Sequence, residues 1–292
     1  MERFLTLLRS RMISPDKQVL NQVIRHYAAS VSLIRDADAA VDIYYTASRI
    51  PRTATEIVLR NKGISVAQPF QASDPAKAVL LHAFRDGFPM ILKVSTPASI
   101  RNEVKVMNAP EKHGLDDNSH LVFIEEVEFE SGSVECAAAL SGNHANTRSG
   151  LLMKHFQTTL AQCKIPLSEN VLLNYGRQIE VAIKFLHSAG ICHLDIKPSN
   201  IFLFERNCYL GDYGAATQIG EEIHEISRNY YPRELPIVAE TKTDFLLLAK
   251  TMLELFGEID SPVKPMSTDE ILEAVHKVKN ERVRSFLESL LE

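Results

Sequence analysis

The 292-residue chain contains no tryptophan and only four cysteines, Cys136, Cys163, Cys192 and Cys208. The cysteines lie far apart and form neither a C-x-x-C pair nor a dense framework, which excludes a disulfide-stapled scaffold and fits reduced thiols in the cytoplasm or nucleus. No run of about 18 uncharged apolar residues occurs, so no segment reads as a membrane span. Met1 to Leu8 is only briefly apolar before Arg9 and Arg11, too short for the core of a signal peptide. A basic excess is also missing. The 32 Lys and Arg against 37 Asp and Glu leave a formal charge of -5, so no nucleic-acid partner is expected. What is present is ordinary: 45% hydrophobic and 24% charged residues describe a globular chain, long enough for one large domain or two lobes.

Apolar residues in the first 62 positions, among them Phe4, Leu7, Leu8, Val19, Leu20, Val23, Ile24 and Tyr27, recur at three-and-four spacing. This predicts a helical extension over 1–62, which could pack on the small sheet region that follows, dock a protein partner or belong to a separate module. From Gly63 short β-rich runs take over: Ile64 to Phe70, Val79 to Phe84 and Phe88 to Val94, the last two joined through Arg85-Asp86-Gly87 as a hairpin turn. A short helix is expected at about Ala98 to Met107, a fourth strand at Leu121 to Phe129 and a fifth around Leu151 to Met153. Ser131 to Ser149 reads as a polar loop. Ser168 is the expected N-cap of a long helix burying Leu172, Tyr175, Ile179, Ala182 and Leu186, with Gly190 after its end. Two short apolar segments, Ile201 to Phe204 and Cys208 to Leu210, precede a helix over Asp244 to Phe256 that is apolar nearly all round.

The chemistry concentrates in two loops. In His193-Leu194-Asp195-Ile196-Lys197-Pro198-Ser199-Asn200 an aspartate and an asparagine stand five residues apart with a lysine between them. A carboxylate that orients a hydroxyl and an amide oxygen that helps hold magnesium suit phosphoryl transfer. In Gly211-Asp212-Tyr213-Gly214 a carboxylate sits between flexible residues, where it can approach a metal closely. Taken alone, these are also the residue types of a polar loop and a β-turn. Turn chemistry does not explain the joint frame.

At these residues the sequence resembles the eukaryotic protein kinase family, serine/threonine type. His193 to Asn200 matches its catalytic loop, with Leu194 where arginine is usual, and Asp212-Tyr213-Gly214 matches its Asp-Phe-Gly. Met90-Ile91-Leu92-Lys93 falls at the Val-Ala-Ile-Lys strand, and Ser227 to Glu234 resembles the end of an activation segment. The resemblance covers residues 63–292. It implies an α+β, bilobal kinase-like fold: a small β-sheet lobe with one helix (63–155) and a larger helical lobe (156–292). It also implies ATP and Mg²⁺ as cofactors, with Mn²⁺ as an alternative metal, and a protein substrate accepting phosphate on serine or threonine. Asp195 and Lys197 would be the catalytic pair. Asn200 and Asp212 would hold the metal. Lys93, Glu103, Met153 and His155 complete the cofactor-binding set, with Glu103 as the ion-pair partner of Lys93. The alternative for Lys93 is a strand-end lysine with its head in water, and for Glu103 a solvated helix face shared with Arg101 and Lys105.

Three departures from the family pattern bear on activity. The phosphate-covering loop should carry Gly-x-Gly-x-x-Gly, yet Gln71 to Lys77 contains no glycine, and Pro75 removes an amide donor. Ile91 replaces the small alanine that packs against adenine, narrowing the pocket. Leu194 removes the arginine that pairs with a phosphorylated activation loop, so an active enzyme here is expected not to need that phosphorylation. The competing readings are a pseudokinase-like binding or scaffolding module and, on the same Asp and Asn loop, a small-molecule phosphotransferase.

Overall fold

The computed structural model describes residues 64–70, 78–85, 88–95, 97–112, 114, 116–130, 147–224, 226–232, 238–261 and 263–292. The expected helical extension over 1–62, the glycine-free stretch Gln71 to Lys77 and most of the expected loop after Ser131 lie outside them. The chain divides into two compact units. One takes the described residues up to Val104 together with Phe123–Gln157, the other Lys105–Val122 and Thr158–Glu292.

The first unit is built on an antiparallel five-stranded sheet: β1 (Ile64–Phe70), β2 (Ala78–Arg85), β3 (Phe88–Ser95), β4 (Ile124–Glu130) and β5 (Thr147–Lys154), in the order β1-β2-β3-β5-β4. Register runs unbroken from Ala78↔Ser95 to Arg85↔Phe88. Asp86 and Gly87 of the expected hairpin turn lie outside the described residues. Alternation along β3 sends Leu92 and Val94 to the core with Ala83, Val127, Leu151 and Leu152. Ile91 and Lys93 therefore project from the opposite face. Helix α1 (Pro97–Lys112) follows β3, with Pro97 at the first helical position, where its missing amide costs nothing. The strand expected from Leu121 begins instead at Ile124. Leu121 forms a parallel bridge with Leu210, and Val122 N–H donates to the Leu210 carbonyl at 2.8 Å. This pairing lies within the second unit and holds residues 121–122 beside Leu210. Thr147 to Ser149, expected as loop, extend β5 opposite Glu130 to Glu128.

The second unit contains β6 (Thr158–Thr159), α2 (Glu169–Ser188), β7 (Ile191–Cys192), β8 (Ile201–Phe204), β9 (Asn207–Leu210), β10 (Thr217–Gln218), α3 (Thr241–Phe256), α4 (Thr268–Lys277) and α5 (Glu281–Leu291). The α2 stripe of Leu172, Tyr175, Ile179, Ala182 and Leu186 is buried, packing the helix against α3 and α5. Ser168 occupies the N-cap position without a side-chain bond, and Gly190 follows the end at φ 80°. The first turn of α2 is tied to α5 instead, through Glu169 with Arg282 and with Asn280 Nδ2 at 2.8 Å. Ser267 and Glu270 form a reciprocal capping box that starts α4.

Glycine at position 176 sets how closely these helices approach. A Cβ there would meet Met252 Sδ at 2.6 Å and Phe286 Cε1 at 2.7 Å. Overpacking costs about 1–3 kcal/mol, against a helix-propensity gain of about 1 kcal/mol. Gly176→Ala is therefore expected to lower the urea midpoint by the equivalent of up to about 2 kcal/mol. An unchanged or raised midpoint would mean that Met252 and Phe286 swing aside freely.

Candidate active site

The loop between β7 and β8 is held from below by α3. Asp244 is fully buried, and its carboxylate accepts from three donors at 2.8 Å: His193 N–H and His187 Nε2 at one oxygen, Leu194 N–H at the other. Leu194 is strained for a branched side chain, at φ 62°. Such a backbone costs about 1–3 kcal/mol, and hydrogen bonds to a charged acceptor return about 1.5–3 kcal/mol each, so the Asp244 carboxylate suffices to hold it. The Leu194 side chain is fully buried in the core.

His193 is also fully buried. Its Nδ1 accepts the Asp195 N–H at 3.3 Å and its Nε2 lies 3.2 Å from the Gly211 carbonyl. One neighbour is a donor and the other an acceptor, which fixes a neutral ring carrying its proton on Nε2. Burial lowers its pKa from the ordinary 6.5, outweighing the opposite pull of Asp244, Asp195, Asp212 and the Gly211 carbonyl.

Beyond this anchor the loop gathers its chemical groups. Lys197 Nζ donates to Asp195 Oδ1 at 3.0 Å and Oδ2 at 2.8 Å, and to Ser227 Oγ at 2.6 Å. Asn200 Nδ2 donates to the Asp195 carbonyl at 2.9 Å and to Asp195 Oδ2 at 2.8 Å. Both partners are acceptors, so the amide nitrogen must face them, and Asn200 Oδ1 points away as a hard neutral oxygen. Gly211 N–H donates to the Asn200 carbonyl at 3.0 Å, which joins this loop to the turn carrying Asp212. Asp212 is exposed, in the left-handed region at φ 66°. Gly211 is required by packing, because a Cβ would meet Val122 Cγ2 at 2.7 Å.

The remaining expected residues lie in the first unit. Lys93 pairs with Glu103 on α1, Nζ to Oε1 at 2.9 Å and to Oε2 at 3.1 Å. Glu103 is 1% exposed, which removes the solvated-face reading for that residue. Ser99 Oγ lies 3.3 Å from Glu103 Oε1. Met153 in β5 stands opposite Ile91. His155 is 4% exposed, and its amide donates to the Pro89 carbonyl at 3.3 Å.

The sequence reading placed Asp244 at the start of an apolar helix and gave it no role in the loop. It also missed the other polar side chains of α3 that reach loops: Thr251 Oγ1 to the Ile196 carbonyl at 3.1 Å, Lys250 Nζ to the Asn229 carbonyl at 2.7 Å, and Glu254, which takes the Tyr230 hydroxyl. The available signal was that charges in a helix apolar nearly all round must be buried and therefore partnered.

A protein kinase domain family model matches residues 140–244. The Wee1-like protein kinase of Arabidopsis thaliana is 37% identical over 98 residues, which make up 31% of this chain and 19% of the relative. The eIF-2-alpha kinase GCN2 of Schizosaccharomyces pombe is 28% identical over 233 residues, 74% of this chain and 14% of the relative. The serine/threonine-protein kinase mos of Nycticorax nycticorax is 36% identical over 63 residues, 21% of this chain and 32% of the relative. The chain thus spans between 14% and 32% of the length of these relatives. The solved structure of vaccinia related kinase 3 matches with a TM-score of 0.57 and 16% identity, covering 86% of this chain and 89% of that one, which shows the kinase-like α+β fold.

Two outcomes follow from the anchor. Asp244→Asn removes the charge and turns a donor towards donors, so unfolding is expected to become easier by about 3 kcal/mol, with faster amide exchange at His193 and Leu194. Unchanged exchange at those two amides would show that the loop is held by other means. For His193, whose folded-state pKa is lowered, stability is fully present above the ordinary value of 6.5. It drains below that value, as the unfolded chain takes up a proton that the buried ring refuses. The unfolding midpoint from pH 6.5 down to about pH 5 should fall more steeply in the parent than in His193→Phe, and parallel slopes would contradict this.

Proposed function

We propose that this chain, which carries a protein kinase domain of the eukaryotic type, transfers the γ-phosphoryl group of ATP to a serine or threonine hydroxyl of a protein substrate. The observation that carries this reading is the Lys197 ammonium, shared between the Asp195 carboxylate and the Ser227 hydroxyl. A carboxylate and a cation stand there in a loop whose geometry is fixed from the core, and the cation reaches a hydroxyl 30 residues along the chain.

Asp195 orients the substrate hydroxyl and accepts its proton. Two oxygens give the carboxylate about four acceptor sites, and the bonds from Lys197 and Asn200 fill three of them. Lys197 stabilises the transferring phosphoryl. Asn200 Oδ1 and the exposed Asp212 carboxylate fit Mg²⁺, which favours one or two carboxylates beside phosphate oxygens. A metal held by these two residues would supply charge neutralisation for the polyphosphate. Lys93, kept in place by buried Glu103, holds the α- and β-phosphates, and Met153 and His155 contact the nucleotide. Leu194 carries no cation to receive a phosphate, and Asp244 holds the loop without one. The enzyme accordingly works without activation-loop phosphorylation.

The second reading, a pseudokinase-like binding or scaffolding module, draws on the glycine-free Gln71 to Lys77 and on the His155 amide, already engaged by Pro89. Radiolabelled ATP transfer with Mg²⁺ or Mn²⁺, followed by phosphosite mapping, separates the two. Label on serine or threonine is expected, falling about 100-fold or more in Asp195→Ala and in Asp212→Ala. A folded parent that binds ATP but transfers no label would select the binding module.

A further inference from the structure

Tyr213 stands where the family motif has phenylalanine, and its hydroxyl makes contacts that phenylalanine cannot. The residue is fully buried. Its hydroxyl lies 2.8 Å from the Val122 carbonyl and 3.0 Å from the Leu210 carbonyl. A phenol has one proton to donate. The Leu210 carbonyl also receives Val122 N–H at 2.8 Å, and the Val122 carbonyl is the nearer of the two acceptors, so the main bond of the phenolic proton is to Val122. The ring packs edge-on against His193, with centroids 5.6 Å apart, and His193 Nε2 faces the Gly211 carbonyl.

These contacts stitch a ribbon to the turn that presents Asp212. Leu210 N–H donates to the His120 carbonyl at 2.8 Å, Val122 N–H returns to Leu210, and the Tyr213 hydroxyl closes onto Val122. Residues 120–122 end the connection that follows α1, the helix carrying Glu103. Between Leu210 and Tyr213 sits Asp212 in its left-handed conformation, a backbone state that persists only where its surroundings enforce it.

We infer that Tyr213 is a positioning residue whose hydroxyl latches the Gly211–Gly214 turn to the Val122 carbonyl and thereby fixes the Asp212 carboxylate for a divalent cation bound with a nucleoside triphosphate. The inference rests on the proposed role of Asp212 in holding the metal. The latch itself is a property of the fold and is measurable without nucleotide.

Tyr213→Phe deletes the hydroxyl alone and keeps the ring. Amide exchange on the full chain without nucleotide should rise about tenfold in peptides covering 118–123 and 208–216, because a buried carbonyl loses its donor. Peptides from α2 and from α4 should not change. Mn²⁺ titrated in the presence of ATP and followed by electron paramagnetic resonance should bind several-fold more weakly to Tyr213→Phe. In an Asp212→Asn background the same substitution should add nothing, since the effect runs through that carboxylate. Equal exchange in parent and Tyr213→Phe overturns the latch. A metal effect that persists in Asp212→Asn overturns the positioning role. Failure of the parent to bind Mn²⁺ with ATP overturns the nucleotide reading, and it is told apart from failure of the latch because exchange is read without nucleotide. Should Tyr213→Phe unfold, the same exchange comparison on protein labelled with a fluorinated tyrosine decides the matter. A more acidic phenol bonds more strongly to Val122, so slower exchange at 118–123 is expected and unchanged exchange overturns the latch.

Discussion

The Asp244 carboxylate is the constraint on which the candidate active site depends. A carboxylate without solvent contact carries a desolvation penalty of several kcal/mol, and this one meets it with two backbone amides and an imidazole nitrogen, all at 2.8 Å. The amides belong to His193 and Leu194, the two residues before Asp195. The loop is therefore not free to choose its path into Asp195 and Lys197. Because the restraint acts on backbone, the side chain at 194 can change without releasing it. The helix that presents Asp244 repeats the device along its length. Thr251, Lys250 and Glu254 each reach a loop carbonyl or hydroxyl from within the core. A helix with buried polar side chains serves as a frame for segments that have little regular structure of their own.

How much of this was legible in the sequence depended on the length over which each signal acts. Strands and helices with a clear period were read within a few residues, as in β1, β8 and α2, since alternation and amphipathic spacing are local. The two loops were legible because several unusual residue types stand in fixed frame. Boundaries set by partners far along the chain were not. Leu121 looks like the first residue of β4, but its bridge to Leu210 diverts it, and nothing near it in sequence announces that partner. The Tyr213 hydroxyl was passed over for the same reason: its acceptor is 91 residues away. Ile91, singled out as a bulky replacement for alanine, does lie on the face of β3 that carries Lys93, which period-two alternation alone predicts.

Glu103 illustrates the reverse case, in which local pattern suggests the wrong environment. Arg101, Glu103 and Lys105 alternate as a solvated face would, yet Arg101 and Lys105 are exposed while Glu103 is buried against Lys93. Residues two apart on a helix do not share a face, so the charge run splits. The two outer charges stay in water. The inner one pairs with a cation on β3, and Ser99 one turn earlier adds a neighbouring hydroxyl. Burying one partner alone would be strongly unfavourable, which makes this pair a stringent local requirement of the first unit.

The departures from the family pattern sort by what they put at risk. Replacing Glu103 leaves the Lys93 charge uncompensated, at a cost of about 3–5 kcal/mol, and replacing Asp244 leaves two buried amides without their acceptor, each loss a large fraction of a domain's stability. Glycine in a phosphate-covering loop serves in general the close approach of ligand to bare backbone, so its loss bears on nucleotide affinity. Leu194 belongs to neither class. The position is fully buried, where leucine contributes about 2 kcal/mol of apolar burial and arginine would need an anion to accompany it. With leucine the loop is completed by the core alone. On the proposed function, the catalytic residues are arranged before any phosphate reaches the activation segment, and control of activity must act elsewhere: on nucleotide binding, on the turn that carries Asp212, or on access of the substrate hydroxyl to Asp195.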